Sequence, residues 1–80
     1  MGKSLTSAYG EKLVALLRQI RAEAALTQAQ VAARLNLPQS FVSKYESGER
    51  RLDLVELKSI CKALDTSLVE FVKRFEKEVS

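Results

Sequence analysis

The spacing of apolar residues follows the period of an α-helix along the whole chain. In the first part, apolar side chains recur at helical intervals, at Tyr9, Leu13, Leu16, Leu17, Ile20 and Ala24. That spacing places them on one face of a helix, whereas a half-buried strand requires strict alternation, which no segment of the sequence shows. The pattern predicts an all-α protein that opens with a long amphipathic helix.

Three later helices are marked by capping boxes, in which a Ser, Thr or Asp is followed three positions later by Glu or Gln. The pairs are Thr27 with Gln30, Asp53 with Glu56, and Ser67 with Glu70. In such a pair each side chain accepts a hydrogen bond from the other residue's backbone N–H, which otherwise has no partner in a first helical turn. The boxes agree with the apolar stripes and predict where the second, fourth and fifth helices begin.

The third helix is predicted between Pro38 and Gly48. The fixed φ of proline suits a first helical turn, and glycine accepts the left-handed backbone that ends a helix. Only Asn36, Leu37 and Pro38 separate this helix from the second one, and asparagine tolerates left-handed geometry better than most residues. Two short helices joined by a three-residue turn form a helix-turn-helix.

The third helix has two unlike faces. At 100° per residue, one side suits packing against a core and carries Phe41, Val42, Tyr45 and Glu46. The other side carries short hydrogen-bonding groups around one cation: Gln39, Ser40, Ser43, Lys44 and Ser47. Gln pairs with adenine, Lys donates to guanine and Ser serves either, so this row suits contact with DNA base edges. The alternative for the row is a polar face that is merely solvated.

Composition favours one small binding domain over an enzyme. The 80 residues are 46% hydrophobic and 29% charged, as in soluble globular domains. The chain has no His, a single Cys61 and no phosphate-binding or nucleophile motif, which argues against catalysis, a metal site and a cofactor. The net charge is +3, and the excess of Lys and Arg lies before residue 53, which suits a polyanionic partner. The sequence shows neither a membrane span nor a signal peptide.

From about Tyr9 to Phe71, the chain resembles the Cro and lambda-repressor-type (XRE-like) helix-turn-helix family. The resemblance is carried by Leu26-Thr27-Gln28, Ala32, Gln39-Ser40, Glu46, Gly48 and the corner from Leu64 to Phe71. Asn36 stands where the family has glycine. Phe41 replaces a small polar residue that touches phosphate in the family, so that contact is not expected of Phe41. The resemblance implies a five-helix, lambda-repressor-like domain whose second and third helices form the helix-turn-helix.

The resemblance also implies which side chains contact DNA, because in this family the third helix enters the major groove and the second crosses the backbone above it. By matching position, the base-contacting residues are Gln39, Ser40, Ser43 and Lys44. The phosphate-contacting residues are Gln28, Ser47, Arg50 and Arg51. Gln28 is also placed to brace Gln39. Arg21 and Glu46 match a pair that family members use as an internal salt bridge.

The fifth helix carries an apolar stripe that extends beyond the expected core. Leu68, Phe71 and Val72 suit the core, whereas Phe75 and Val79 lie one or two turns farther out. An exposed apolar patch on so small a protein marks an interface. We therefore expect Phe75 and Val79 to form the contact of a homodimer. The alternative is that both side chains fold back onto the first helix.

These patterns predict one domain at residues 8–80, preceded by a flexible arm at residues 1–7. We expect a cytoplasmic, sequence-specific regulator of transcription that binds a palindromic double-stranded DNA operator as a homodimer. It would act by occupancy, as a repressor or controller, without a cofactor, a small-molecule ligand or a membrane. The alternative is a protein-interaction module of the same fold, such as an antitoxin or an adaptor, which should not bind duplex DNA. RNA binding is disfavoured because no aromatic stacking platform is evident.

Overall fold

Five α-helices make up the fold in a computed structural model, which describes the backbone of residues 2–80 and the side chains of residues 8–80. The helices are α1 (Gly2–Glu23), α2 (Gln28–Leu35), α3 (Gln39–Glu46), α4 (Leu54–Ala63) and α5 (Leu68–Val79). No strand occurs among residues 2–80. The predicted all-α fold with five helices is therefore confirmed. None of the helices in the described chain has the length and apolar character needed to cross a lipid bilayer.

The first helix begins earlier than the sequence predicts. Its backbone starts at Gly2 and so includes positions that the sequence assigns to a flexible arm at residues 1–7. Residue 1 and the side chains of residues 2–7 lie outside the described part of the chain. The flexibility of the arm therefore stays a prediction, as does the domain boundary at residue 8.

Two of the three predicted capping boxes form completely. Thr27 Oγ1 accepts from the Gln30 N–H at 3.1 Å, while Gln30 Oε1 accepts from the Thr27 N–H at 2.8 Å. The box of Asp53 and Glu56 has the corresponding distances of 2.7 Å and 2.9 Å. At the start of α5, Ser67 caps the helix but the return bond from Glu70 is not formed. That carboxylate lies 3.9 Å from the Lys73 ammonium instead.

Left-handed residues end the helices, as predicted at two positions. Gly48 has φ +86° after α3, and Asn36 has φ 61° after α2, so the turn of the helix-turn-helix uses the tolerance of asparagine for this geometry. The N–H groups that follow bond back to carbonyls of the last helical turn, as in the Schellman motif. The same left-handed backbone occurs at two positions that the sequence does not mark, Ala25 and Asp65.

All five helices contribute to one core, which holds the helix-turn-helix against the rest of the protein. The buried apolar side chains are Leu16, Leu17, Ile20, Val31, Ala32, Val42, Tyr45, Ile60, Cys61, Ala63, Leu64 and Phe71. Helix α2 packs against α3 and α4, and α1 packs against α3 and α5. Since α3 is held from these sides, its polar face is left on the outside.

The apolar stripe of α5 differs from the sequence prediction at three positions. Phe75 is half-buried against the core and stacks on Phe71, with ring centroids 6.4 Å apart. Val72, which the sequence assigns to the core, is 41% exposed. The expectation of an exposed patch at Phe75 and Val79 is therefore wrong in its premise, because α5 packs against α1 and Val79 is also half-buried. The role of Phe75 and Val79 in a dimer stays a prediction.

Candidate nucleic-acid interface

The polar row predicted from the sequence lies on the outer face of α3. The four predicted base-contacting side chains are all exposed: Gln39, Ser40, Ser43 and Lys44. On the opposite side of the same helix, Val42 and Tyr45 are almost fully buried, and burial raises the pKa of the Tyr45 hydroxyl above its ordinary value. The helix is therefore anchored by one face and presents donors and acceptors on the other.

Lys44 supplies the positive charge at the middle of this row. It forms no salt bridge with any carboxylate among residues 8–80 within 4.0 Å. Its ammonium group is therefore available for an acceptor outside the chain, such as O6 or N7 of guanine.

Ser47 is exposed at the C-terminal end of α3, but its hydroxyl already has local partners. The hydroxyl donates to the Lys44 carbonyl at 3.0 Å and accepts from the Glu49 N–H at 3.4 Å. Both backbone groups are also bonded to each other, since the Glu49 N–H donates to the Lys44 carbonyl at 2.9 Å, so the hydroxyl adds to the bonds that end the helix. A phosphate contact by Ser47 would compete with this local role.

A largely buried ion pair involves Glu46, on the inner side of α3. The Arg21 guanidinium binds both carboxylate oxygens of Glu46, at 2.7 Å and 3.0 Å, and Glu46 is only 3% exposed. The hydrogen bond to Glu46 raises the pKa of Arg21. A bidentate pair of this kind ties α1 to the end of α3. The internal salt bridge implied by the resemblance is therefore confirmed.

The ion pair continues outward through two glutamines. Gln28, half-buried at the start of α2, donates from Nε2 to the same carboxylate of Glu46 at 3.0 Å. The Oε1 atom of Gln28 accepts from Gln39 Nε2 at 3.5 Å, which is a long hydrogen bond. The contact between Gln28 and Gln39 agrees with the expected brace. The bond from Gln28 to Glu46 is not evident from the sequence, since 18 residues separate them.

Arg50 has partners that the sequence does not reveal. Its guanidinium binds the Glu56 carboxylate at 2.7 Å and 3.0 Å and lies 4.8 Å from the centroid of the Phe41 ring. This ion pair raises the pKa of Arg50 and lowers the pKa of Glu56. Phe41, the departure from the family pattern, thus supports the arginine by a cation–π contact. Glu56 therefore already compensates part of the positive charge of Arg50, which the sequence predicts to contact phosphate.

Arg51 is the other arginine that follows α3, and it differs from its neighbour. Its side chain is exposed and forms no salt bridge with a described carboxylate, although its backbone carbonyl accepts from Arg50 at 2.9 Å. The charge of Arg51 is therefore available to an anion beside the exposed row. Of the four predicted phosphate contacts, Arg51 is the one whose side chain has no hydrogen bond to another described residue.

The cysteine and the acidic residues do not form a second site in the described chain. Cys61 is fully buried, and burial raises the pKa of its thiol, which favours the unreactive protonated form. Within residues 8–80, no group of three or more His, Cys, Asp or Glu side chains is arranged to hold a metal ion. The exposed face of α3 and the loop after it remain the candidate interface.

Comparison with known proteins gives consistent matches over this fold. A helix-turn-helix family model matches residues 17–71. The control protein C.MunI from Mycoplasma sp is 33% identical over 70 residues, which span 88% of this chain and 90% of that protein. Among solved structures, an XRE-family like protein from Pseudomonas syringae pv. tomato str. DC3000 is 38% identical with a TM-score of 0.89, over 98% of this chain and 95% of its own.

The restriction-modification controller protein C.Esp1396I is also similar in structure. It is 31% identical to this chain with a TM-score of 0.83, and the match spans 89% of this chain and 93% of that one. The same controller has been solved as a tetramer in complex with its natural 35 base-pair operator. These matches concern the whole fold. The DNA contacts of individual side chains in this protein stay predictions.

Proposed function

Since this chain belongs to the helix-turn-helix family, in agreement with its resemblance to XRE-like proteins, we propose that it is a sequence-specific regulator of transcription. It binds double-stranded DNA and acts by occupying an operator. The observation that carries this proposal is the division of α3 into a buried face and an exposed row. The side chains of that row, chiefly Gln39 and Lys44, can form hydrogen bonds with base edges.

The relatives favour a controller among the possible regulators. C.MunI is a control protein, and C.Esp1396I is a restriction-modification controller whose tetramer binds an operator. We extend operator binding and self-association to this chain, as a homodimer on a two-fold symmetric site. Two copies then place their recognition helices about 34 Å apart, one turn of DNA. A cytoplasmic location is part of the same proposal, because the regulator must reach the genome.

The side chains at the interface form two groups in this proposal. The bases are contacted by Gln39, Ser40, Ser43 and Lys44. The phosphates are contacted by Gln28, Ser47, Arg50 and Arg51. Arg50 and Gln28 keep their internal partners and contact phosphate through N–H groups that do not bond to those partners. Arg51 can use its whole guanidinium.

Selection from a random pool of duplexes tests the function directly. We expect the wild type to enrich a palindrome, and Lys44→Ala to lose preference at one base pair in each half-site. That variant should weaken specific binding by about 1–3 kcal/mol while leaving random duplexes nearly unaffected. Lys62→Ala, an exposed lysine on α4, is the matched control and should leave the selected sequence unchanged. If no duplex is enriched, the protein-interaction module becomes the better proposal.

The salt dependence of binding tests the phosphate contacts. Arg51→Ala should lower affinity equally for specific and random duplexes and reduce the slope of log K against log salt by about one unit. Glu56→Gln should raise affinity for both kinds of duplex and increase the slope, because it frees the charge of Arg50. The new amide can still complete the capping box with Asp53. Titrations by fluorescence anisotropy at several salt concentrations measure both slopes. If Arg51→Ala instead lost affinity only through one particular base pair, that result would place the arginine in the groove.

A further inference from the structure

We propose that α1 forms part of the DNA interface and that Arg18 contacts a backbone phosphate. One strand of the duplex lies in a groove between α1 and the loop after α3. The proposal rests on the DNA-binding function proposed above. It adds α1 to the elements that bind phosphate, beside the helix-turn-helix and the loop that follows it.

The groove between α1 and the loop after α3 has a volume of about 1010 Å³. Three of the four predicted phosphate contacts line it, namely Ser47, Arg50 and Arg51. The other wall is formed by α1, which contributes Val14 and Arg18. Because the loop residues that are predicted to bind phosphate line this space, a strand bound by them passes beside α1.

Arg18 supplies an uncompensated positive charge on the α1 wall. Its side chain is exposed and forms no salt bridge with a carboxylate among residues 8–80 within 4.0 Å. Its Nη1 donates a hydrogen bond to the Glu46 backbone carbonyl, which is a neutral acceptor. A guanidinium carries several N–H donors in a planar fork that matches phosphate, so most of them remain for a ligand.

The bond to the Glu46 carbonyl also fixes where the charge of Arg18 lies. That carbonyl belongs to the last residue of α3, where helical carbonyls lack intrahelical partners and carry partial negative charge. Arg18 therefore holds its guanidinium beside the end of the helix that carries the exposed row. A side chain ordered before binding loses less conformational entropy when it contacts phosphate.

Acidic side chains leave the Arg18 end of the groove open to an anion. The Glu46 carboxylate is buried and bound to Arg21. Glu11 also lines the groove, but it precedes Arg18 by about two helical turns, roughly 10 Å along the helix axis. The two charges favour a phosphate strand that crosses α1 near Arg18 and avoids the Glu11 end.

Arg18→Gln tests the proposal, because an amide retains a donor for the Glu46 carbonyl without the charge. We expect affinity to fall on the order of fivefold, equally for the selected palindrome and for random duplexes. The slope of log K against log salt should fall by about one unit, as for Arg51→Ala. Lys12→Gln removes an exposed charge from α1 outside the groove, and this matched control should keep the wild-type slope. Fluorescence anisotropy at several salt concentrations measures the slopes.

A second variant keeps the test independent of the bond between Arg18 and Glu46. Ala15 is exposed, lines the groove and lies one turn before Arg18, so Ala15→Glu adds a carboxylate there without disturbing the core. Glutamate is a good helix former, so the variant should fold like the wild type. We expect it to lower both the affinity for duplexes and the salt slope.

Replacing single phosphates by methylphosphonate locates the contact, because each replacement removes one charge from the DNA. At one position, the replacement should weaken the wild type and Arg51→Ala several-fold but change the affinity of Arg18→Gln less than twofold. If Arg18 only supports the end of α3, Arg18→Gln will be as sensitive as the wild type at every phosphate. That result would contradict the proposal.

The outcomes distinguish this proposal from the function on which it rests. If the wild type enriches a palindrome while Arg18→Gln and Ala15→Glu keep its affinity and salt slope, the function stands and α1 lies outside the interface. The groove would then be open to a partner other than DNA. If the wild type binds no duplex, the proposed function fails and the contact fails with it. A reduced slope in both variants, with one phosphate insensitive in Arg18→Gln, supports the proposal.

Discussion

Glu46→Ala should lower the free energy of unfolding by about 3–5 kcal/mol, the range for removing one member of a buried ion pair. The variant leaves the Arg21 guanidinium without its carboxylate and Gln28 without the acceptor for its Nε2. We expect the lower part of that range. The Arg21 side chain is 21% exposed and keeps its bond to the Leu26 carbonyl at 3.0 Å, so water and the backbone compensate part of the loss.

Glu23→Ala is the matched control for this effect. Glu23 also forms a bidentate pair, with Arg74 at 2.9 Å and 3.1 Å, but both side chains are well exposed. Exposed pairs of this kind contribute about 0–1 kcal/mol, because water competes for both charges. Urea denaturation of the two variants, with the slope against urea compared as well, measures the difference. Equal losses for Glu23→Ala and Glu46→Ala would contradict the structural role of the buried pair.

Val72→Asp should give a folded monomer whose affinity for a two-fold operator is lower by at least about a hundredfold, because the two half-sites no longer act together. Val72 is 41% exposed and shares one stripe of α5 with Phe75 and Val79, the residues predicted for the dimer contact. Each copy would present the same stripe to its partner, as a two-fold interface requires. Helix α5 packs against α1 and α4, so a contact here leaves the outer face of α3 open.

The choice of Val72 follows from the packing of α5. Phe75 supports the core through its contact with Phe71, so an Asp there would harm folding as well as assembly. Val55, on α4, is 74% exposed and lies off the stripe, and Val55→Asp is the control that should remain dimeric. Sedimentation equilibrium and operator titrations on both variants decide between the surfaces. A monomeric Val55→Asp beside a dimeric Val72→Asp would move the interface to α4.

Much of the fold follows from signals that act within a few residues. The capping pairs at Thr27 and Asp53 mark the starts of α2 and α4, and both boxes form as predicted. Asn36 and Gly48 take the left-handed backbone that closes each helix of the motif. Such signals can be predicted because the interacting groups lie one helical turn apart and their geometry is that of the helix itself.

The exposed row of α3 was also predictable, for a related reason. A helix that buries Val42 and Tyr45 must turn the positions between them outward, so the period of 3.6 residues places Ser43 and Lys44 on the surface. The ion pair of Arg21 and Glu46 was expected only through the resemblance. Helical periodicity alone places Glu46 on the core side but cannot identify a partner 25 residues away.

The tertiary structure decided where longer side chains find their partners. Arg50 turns to Glu56 and Phe41, and Gln28 turns to Glu46, because the loop after α3 and the start of α2 bring these groups within reach. Arginine and glutamine have several rotatable bonds, so their sequence positions leave many partners open. Local pattern therefore determined the five helices and the face that α3 exposes. Packing between helices decided which of the exposed charges and amides are available to DNA.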